Sequence, residues 1–550
     1  MVTIKLDSSA LEKVLLAIFL AILFFIGPGL LFGNKIKHDF PYAYSASDAF
    51  QHQVRAEAIK DAGNFRHEAP YIAKSFERTI AMYPPMIYHL AAIFSYLAGI
   101  EVYDSIYFIT FFFAILSVLV MYLIIRDFNK NIALMSLPLA ILMFTYPLMI
   151  GFTWGHWPSL LAQFFLAAFA WCMMKIELEK SYILAALIFS SIIFAHTSEA
   201  VFALIFAALF FGIRLLSGSL RKNEIKSVIT AFAISFVISL YYLIIFKITW
   251  FKGQPYSFAV EPAWQGNPGF YILDFGALLA FIVMGIAFSL FRLKNMHASF
   301  ILAFAMLIGG HLNYIGFGLR SFQVRFFWPI YFAVFFGAGI YILLKPAVKK
   351  WNMAYTISLL VILTILLTGL IKIPLVPHYN KAASQGIMDP YHWPALSWIS
   401  KNAESNSKIY FFYGDIYSQD ALLRNSKRIH YLVDPDDFVK AIQDKKIKRM
   451  YVSELPGDNG GGIWARTGLF SSESLMESKP SEYFFGPQDI CRFDYIVFDK
   501  ASRQQVLAQY NLLIASELLK KGMTKAFENE VVVILKNNNI GGDCIEERSF

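Results

Sequence analysis

Two carboxylates and two imidazoles crowd the stretch His38-Asp39-Phe40-Pro41-Tyr42-Ala43-Tyr44-Ser45-Ala46-Ser47-Asp48-Ala49-Phe50-Gln51-His52, which follows the first apolar segment of the chain. Asp39 and Asp48 are the candidate proton acceptors, because a carboxylate at a protein–membrane boundary is partly desolvated and binds a proton more readily. His52 lies one helical turn after Asp48 and would share its face, where it would orient the carboxylate or bind phosphate. The plainer alternatives are that Ser47 or Asp48 caps a helix and that Asp39 holds a turn before Pro41. Arg320 and Arg325 stand five residues apart among aromatics, and guanidinium forks suit phosphate oxygens; snorkelling toward headgroups is the alternative. His196 and Glu199 sit one turn apart between two apolar runs and should face an interior cavity or simply pair with each other. His156 lies in the turn Gly151–Pro158 between Trp154 and Trp157. It could touch a ligand, whereas an aromatic belt would explain the tryptophans alone.

The elements that must carry these groups are membrane helices. The chain has 550 residues, of which 57% are hydrophobic, 17% aromatic and only 16% charged. A mean hydropathy of +0.52 excludes an ordinary soluble protein. The net charge of +9 implies no nucleic-acid partner, since the cations fall in loops between apolar runs. Leu11–Phe32 is long enough to cross a hydrocarbon core of roughly 30 Å, and without a small-residue cleavage site it reads as a retained anchor. Further runs at 105–125, 131–150, 158–174, 181–195, 199–213, 228–246, 270–291, 298–316, 326–344 and 353–371 give about eleven spans in all. Alternating them from a cytoplasmic N-terminus gathers Arg126/Lys130, Lys175/Lys180, Arg214/Arg221/Lys222/Lys226, Arg292/Lys294 and Lys345/Lys349/Lys350 on one side, which the positive-inside rule assigns to the cytoplasm. That assignment requires Met86–Ile100, too short to span, to lie in or re-enter the outer leaflet. The loop 34–85, the turn Gly151–Pro158, the junction His196–Glu199, the loop 247–270, the segment Arg320–Arg325 and everything after about Ile373 then share the external face.

Residues 374–550 change character. Strand-like runs at Lys408–Tyr413, Arg428–Val433, Arg449–Val452, Tyr495–Phe498 and Val531–Leu535 alternate with helical patterns at Asp437–Lys445 and Ser502–Lys521, which predicts an α/β domain with a mainly parallel sheet. Asp434-Pro435-Asp436-Asp437 reads as a helix start. The glycine-rich run Pro456–Gly462 is followed by no phosphate-loop lysine, so no nucleotide site is expected there. In an external, oxidising space Cys491 and Cys544 could form a disulfide.

An anchor helix followed by Asp39, then Asp48-Ala49-Phe50-Gln51-His52-Gln53-Val54-Arg55-Ala56-Glu57-Ala58-Ile59, then Tyr83-Pro84-Pro85-Met86-Ile87-Tyr88-His89-Leu90, resembles the first external loop of the GT-C polytopic membrane glycosyltransferases. It is similar to the archaeal type related to the catalytic subunit of oligosaccharyltransferase. The tail continues the resemblance: Ala395–Asn402 leads into Ile409-Tyr410-Phe411-Phe412-Tyr413-Gly414-Asp415, where that subunit carries a Trp-Trp-Asp-Tyr-Gly motif whose Asp has no counterpart in place here.

The resemblance implies an α-helical polytopic membrane domain over residues 1–373, with a catalytic loop at 34–85 and an extracytoplasmic α/β domain over 374–550. It also implies a multi-pass plasma-membrane enzyme that inverts a sugar taken from a polyprenyl (dolichyl)-phosphate donor, the acceptor being a glycan, lipid or protein. Such a transfer needs a base for the acceptor hydroxyl and cations for the departing phosphate. Asp48 or Asp39 would be that base. Arg320 and Arg325 would clamp the phosphate, with His52, His156, His196 and Glu199 near the donor. Loop 247–270, with Trp250, Lys252, Tyr256, Glu261 and Trp264, offers the aromatic and polar mixture that stacks on sugars and meets the acceptor. Oligosaccharyltransferase uses a second acidic motif to bind Mn²⁺ or Mg²⁺, but the turn Gly151–Pro158 contains no carboxylate. A metal-independent reaction is therefore expected, a site drawn from Asp39, Asp48, Glu199 and a histidine being the alternative. The competing functions are transfer of a preassembled glycan to protein, a lipid or solute transporter or flippase, and a non-catalytic scaffold. Clustering of the polar groups at one face, without an evident inverted repeat, argues against a transporter.

Overall fold

A computed structural model describes residues 8–64, 84–145, 149–178, 180–250, 269–291, 296–315, 328–348, 351–370, 375–376, 382–412, 420–433, 435–453, 486–500 and 505–547. Backbone polar groups in a hydrocarbon medium must be satisfied within their own segment, so the apolar runs fold as helices. These are α1 (Ser8–Leu31), α3 (Met86–Ala98), α4 (Val102–Arg126), α5 (Lys130–Ser136), α7 (Trp157–Met174), α8 (Ser181–Ala195), α9 (Thr197–Leu216), α10 (Lys222–Trp250), α11 (Gly269–Phe275), α12 (Leu278–Phe291), α13 (Ala298–Gly310), α14 (Trp328–Leu344) and α15 (Met353–Leu367), while α2 (Ser47–Ala62) and the single turn α6 (Ile150–Thr153) lie in connections. Among the described residues six helices are long and apolar enough to cross a membrane, and six further apolar helices are shorter.

Two expected spans are interrupted. The run 131–150 is the seven-residue α5 followed by a tight 3-10 helix, Leu137–Phe144, with Pro138 in its first turn, because proline has no N–H to continue an α-helical ladder. The run 270–291 breaks between α11 and α12 at Gly276, whose φ of 51° is left-handed. Helix α3, with 13 residues, is only about 20 Å long. It lies along α2, with Tyr88 beside His52 and Ser95 beside Lys60, so the two helices run side by side in the same direction.

Helix α4 is the backbone of the loop that follows α1. At one end Arg126 reaches Glu12 of α1 at 2.5 Å, and at the other the rings of Phe32 and Tyr107 meet with centroids 4.7 Å apart. Helices α1 and α4 are therefore antiparallel, and the loop between them closes over the start of α4.

The C-terminal region holds α16 (His392–Asn402), α17 (Asp420–Leu423), α18 (Pro435–Gln443) and α19 (Gln505–Lys520), around strands β1 (Lys408–Phe412), β2 (Ile429–Val433), β3 (Arg449–Ser453), β4 (Gly486–Asp489), β5 (Tyr495–Asp499), β6 (Thr524–Glu528) and β7 (Val532–Lys536). The sheet order is β4-β3-β2-β1-β5-β7-β6. Among the described residues it is mixed, not mainly parallel: only β1 pairs in parallel, with β2 and β5, and the other four pairings are antiparallel. The connection Asn529-Glu530-Val531 is too short for a crossover and closes β6 on β7 as a hairpin, with the Asn529 side chain accepting from Val531 N and Val532 N. Pro435 takes the first helical position of α18, as expected. Cys491 and Cys544 are disulfide-bonded, with Cα atoms 5.4 Å apart.

Candidate active site

Helix α2 carries Asp48 and has an unusual environment. Its sequence is polar, yet every residue from Ala49 to Ala58 is buried, including Gln51, His52, Gln53, Arg55 and Glu57. Ala46 holds the N-cap position in extended conformation without a side-chain cap, so Asp48 is not the cap and sits half-buried in the first turn, while the Ser47 side chain lies outside the described residues. A carboxylate there is favoured by the helix dipole.

The loop leading into α2 is fastened at several points. His38 Nδ1 is 2.7 Å from Asp104 Oδ1, its amide donates to Asp104 Oδ2 at 2.8 Å, and its Nε2 is 3.0 Å from Phe32 O. The Tyr103 hydroxyl donates to His38 O at 2.8 Å, and the Tyr44 hydroxyl donates to Tyr103 O at 2.8 Å. Asp39, one residue after His38, is exposed in a bend.

The turn before α7 packs directly on the start of α2. Ser45 N donates to Thr153 O at 2.9 Å. Gly155 (φ 87°) lies so close that a Cβ on it would sit 2.3 Å from Ala49 N and 2.7 Å from the carbonyl carbon of Asp48. His156, next in the chain, is buried. Trp157 is not a belt residue: it is fully buried, donates from Nε1 to Phe152 O at 2.6 Å, and packs on Tyr44, Tyr107 and His52 with ring centroids 4.9, 6.0 and 6.3 Å away. Trp154 is exposed. His52 is hydrogen-bonded through Nδ1 to Tyr88 Oη at 2.7 Å, so Tyr88 of α3 anchors the ring that was expected to attend Asp48.

The first turns of α7 and α9 are bonded in their turn. Glu199 is buried; its Oε1 accepts from Ser159 Oγ at 2.6 Å, and its Oε2 accepts from Ser198 Oγ at 3.2 Å and pairs with His196 Nδ1. Gln163 extends the chain of bonds by donating to Ser159 Oγ at 3.1 Å. The turn that opens α7 thus meets the first turn of α2 at Gly155, and one turn further on Ser159 of α7 meets Glu199 of α9, which also pairs with His196.

Arg320, Arg325, Glu261 and Trp264 lie outside the described residues, and Trp250 ends α10 with its side chain likewise outside. Sequence reasoning missed Asp104, Tyr88 and Ser159. Asp104 carried a signal, a carboxylate in the first turn of a long apolar helix, the kind of group that must find a partner. Among the described residues no three His, Cys, Asp or Glu side chains group as a metal would require. Asp39, Asp48, Glu199 and a histidine therefore do not form a ligand set among the described residues.

The sequence matches no protein-family model and no curated protein. In fold, the chain is similar to the oligosaccharyltransferase of Archaeoglobus fulgidus in its apo form, with a TM-score of 0.57 and 13% identity over 89% of this chain and 69% of that one. It is also similar to ArnT from Cupriavidus metallidurans, with a TM-score of 0.51 and 11% identity over 96% and 98% of the two chains. A further likeness is to the A. fulgidus oligosaccharyltransferase AglB in complex with an inhibitory peptide and a dolichol-phosphate, with a TM-score of 0.52 and 13% identity over 97% and 75%. The chain shares the GT-C fold of these solved structures.

Proposed function

We propose that this protein is a membrane glycosyltransferase that takes a sugar from a polyprenyl (dolichyl)-phosphate donor and passes it, with inversion, to an acceptor hydroxyl on the extracytoplasmic face. The observation that carries this reading is the position of Asp48, in the first turn of a buried polar helix and against the turn that opens α7. The first turns of α2, α7 and α9 would each favour an anion through their dipoles, and the donor's phosphate is such an anion. Asp48 takes the proton of the acceptor hydroxyl as its oxygen bonds to the anomeric carbon. The bond from that carbon to the phosphate oxygen breaks, and the polyprenyl phosphate leaves with the electron pair. Arg320 and Arg325 neutralise the leaving phosphate, and His156 and the His196–Glu199 pair line the donor side. Trp250, Glu261 and Trp264 meet the acceptor, and His52, held by Tyr88, fixes the helix instead of touching phosphate. Asp39, exposed and outside this cluster, is the second candidate base.

The division at residues 373/374, the catalytic loop 34–85, the cytoplasmic N-terminus and the plasma-membrane setting belong to the same reading, supported by the grouping of basic loops on one side. Likeness in fold to an oligosaccharyltransferase makes transfer of a glycan to protein the second reading. The test is transfer from radiolabelled polyprenyl-phosphate sugars in membranes, with and without EDTA. Transfer that survives chelation supports the metal-independent enzyme. Transfer abolished by EDTA and restored by Mn²⁺ or Mg²⁺ supports the oligosaccharyltransferase-like reading, and no transfer from a broad donor panel overturns both.

A further inference from the structure

Helix α2 buries five polar side chains, which is costly unless each is held, and part of what holds it comes from far along the chain. Gln53 donates from Nε2 to Glu57 Oε1 and to Asn425 Oδ1, both at 2.8 Å. Asn425 is itself fixed, donating from Nδ2 to Leu422 O at 3.0 Å, and its neighbours Arg424 and Ser426 are fully buried. Lys427 closes the grip, with Nζ 2.5 Å from Asp61 Oδ2 and 3.4 Å from Glu57 Oε2. Asn425 therefore meets the middle of α2 and Lys427 its last turns.

We propose that the segment Asp420–Lys427 is a positioning clamp for α2: through Asn425 on Gln53 and Lys427 on Glu57 and Asp61, the C-terminal region sets the axial position of the helix whose first turn presents Asp48. This rests on the glycosyltransferase reading above for its consequence, but not for its existence. The geometry gives the reason for such a clamp. Helix α2 starts at the candidate site and ends at Gly63 in a left-handed C-cap, and α3 runs alongside it, meeting His52 through Tyr88 and Lys60 through Ser95. Asn425 and Lys427 add a hold from the C-terminal region on Gln53, Glu57 and Asp61, and an error of about 1 Å in a reacting group can cost on the order of a hundredfold in rate. Asn425 and Lys427 are positioning residues, since neither is near Asp48 in the helix they hold.

The experiment uses the full chain in detergent or nanodiscs, with Asn425→Ala and Lys427→Met, and with Lys427→Arg as the variant that keeps the charge. Hydrogen exchange of peptides covering residues 47–62 reads the clamp directly and needs no activity. The expected result is faster exchange in α2 for Asn425→Ala and Lys427→Met, unchanged exchange in α4, and recovery in Lys427→Arg. In the transfer assay kcat should fall about tenfold or more with KM for the donor within twofold, again restored by Lys427→Arg. Unchanged exchange in α2 overturns the clamp. Faster exchange in α2 with an unchanged kcat overturns its positioning of the chemistry, and a loss confined to the amount of folded protein, with kcat intact, does the same. A wild-type chain without transfer overturns the glycosyltransferase reading, while the exchange measurement still decides the clamp.

Discussion

Gly155 stands against the backbone of Ala49, with no room for a side chain between the turn that opens α7 and the first turn of α2. A methyl group there would meet backbone, which cannot swing aside, and φ of 87° is itself unfavourable for any residue with a Cβ. Gly155→Ala is expected to cost about 1–3 kcal/mol of stability from backbone strain alone and to displace Asp48. Transfer should fall more than the folded fraction does, which thermal unfolding beside a rate measurement on the folded protein will separate.

Ser159→Ala tests the second contact between helix starts. It removes the hydroxyl that donates to buried Glu199 at 2.6 Å, and a hydrogen bond to a buried charge is worth about 1.5–3 kcal/mol. The expected outcome is a lower Tm, with Ser159→Thr closer to wild type because it keeps the donor.

The packing of α16 on β5 within the C-terminal region should depend on pH through His392. Burial alone would lower the pKa of this imidazole, but hydrogen bonds to Asp389 at 2.5 Å and Asp499 at 3.3 Å, and the charges of both, outweigh it and raise the value above 6.5. Burial likewise opposes ionisation of Asp389, yet bonding to His392 prevails and lowers its pKa below 3.8. A raised histidine contributes stability that is fully present below about pH 6.5 and is lost as pH rises through the folded-state value. A lowered carboxylate contributes stability that is present above about pH 4 and lost as pH falls through its own folded-state value. The Tm of the wild type should therefore fall on the alkaline side of pH 6.5, and His392→Gln should flatten that limb while leaving the neutral-to-alkaline baseline nearly level.

Much of this architecture is legible in the sequence, and the reasons for success and failure differ. Apolar runs report membrane helices directly, since the solvent leaves the backbone few alternatives; α4, α7, α8 and α9 lie within a few residues of their expected bounds. The Pro138 break and the Gly276 break are local signals inside runs that hydropathy averages over. The sheet was read as mainly parallel because strands alternated with helical patterns, whereas β6 is an exposed polar edge, Thr524-Lys525-Ala526-Phe527-Glu528, with little periodicity to announce the hairpin. Proton acceptors and imidazoles at the site were visible by type, but their partners were not. His52 with Tyr88, His38 with Asp104, and Gln53 with Asn425, the last pair 372 residues apart, are set by tertiary placement that no spacing encodes.

Linking Cys491 to Cys544 closes 53 residues of chain. On loop-closure entropy this constrains the unfolded chain by about 4 kcal/mol, and the bridge joins the turn before β5 to the segment after β7. Reduction, or Cys491→Ser with Cys544→Ser, should lower the Tm of the C-terminal region, while far-ultraviolet helicity from the membrane helices persists. Thermal unfolding followed by tryptophan fluorescence with and without reductant checks it.

The most direct test of the central claim compares Asp48→Asn with Asp39→Asn in the polyprenyl-phosphate transfer assay, at matched amounts of folded protein. The placement of Asp48 between the starts of α2 and α7 predicts a loss of about 10²–10⁴-fold in kcat for Asp48→Asn, the range expected for removing a general base, with Asp39→Asn within a few-fold of wild type. Full activity in Asp48→Asn, with the loss appearing instead in Asp39→Asn, would contradict it.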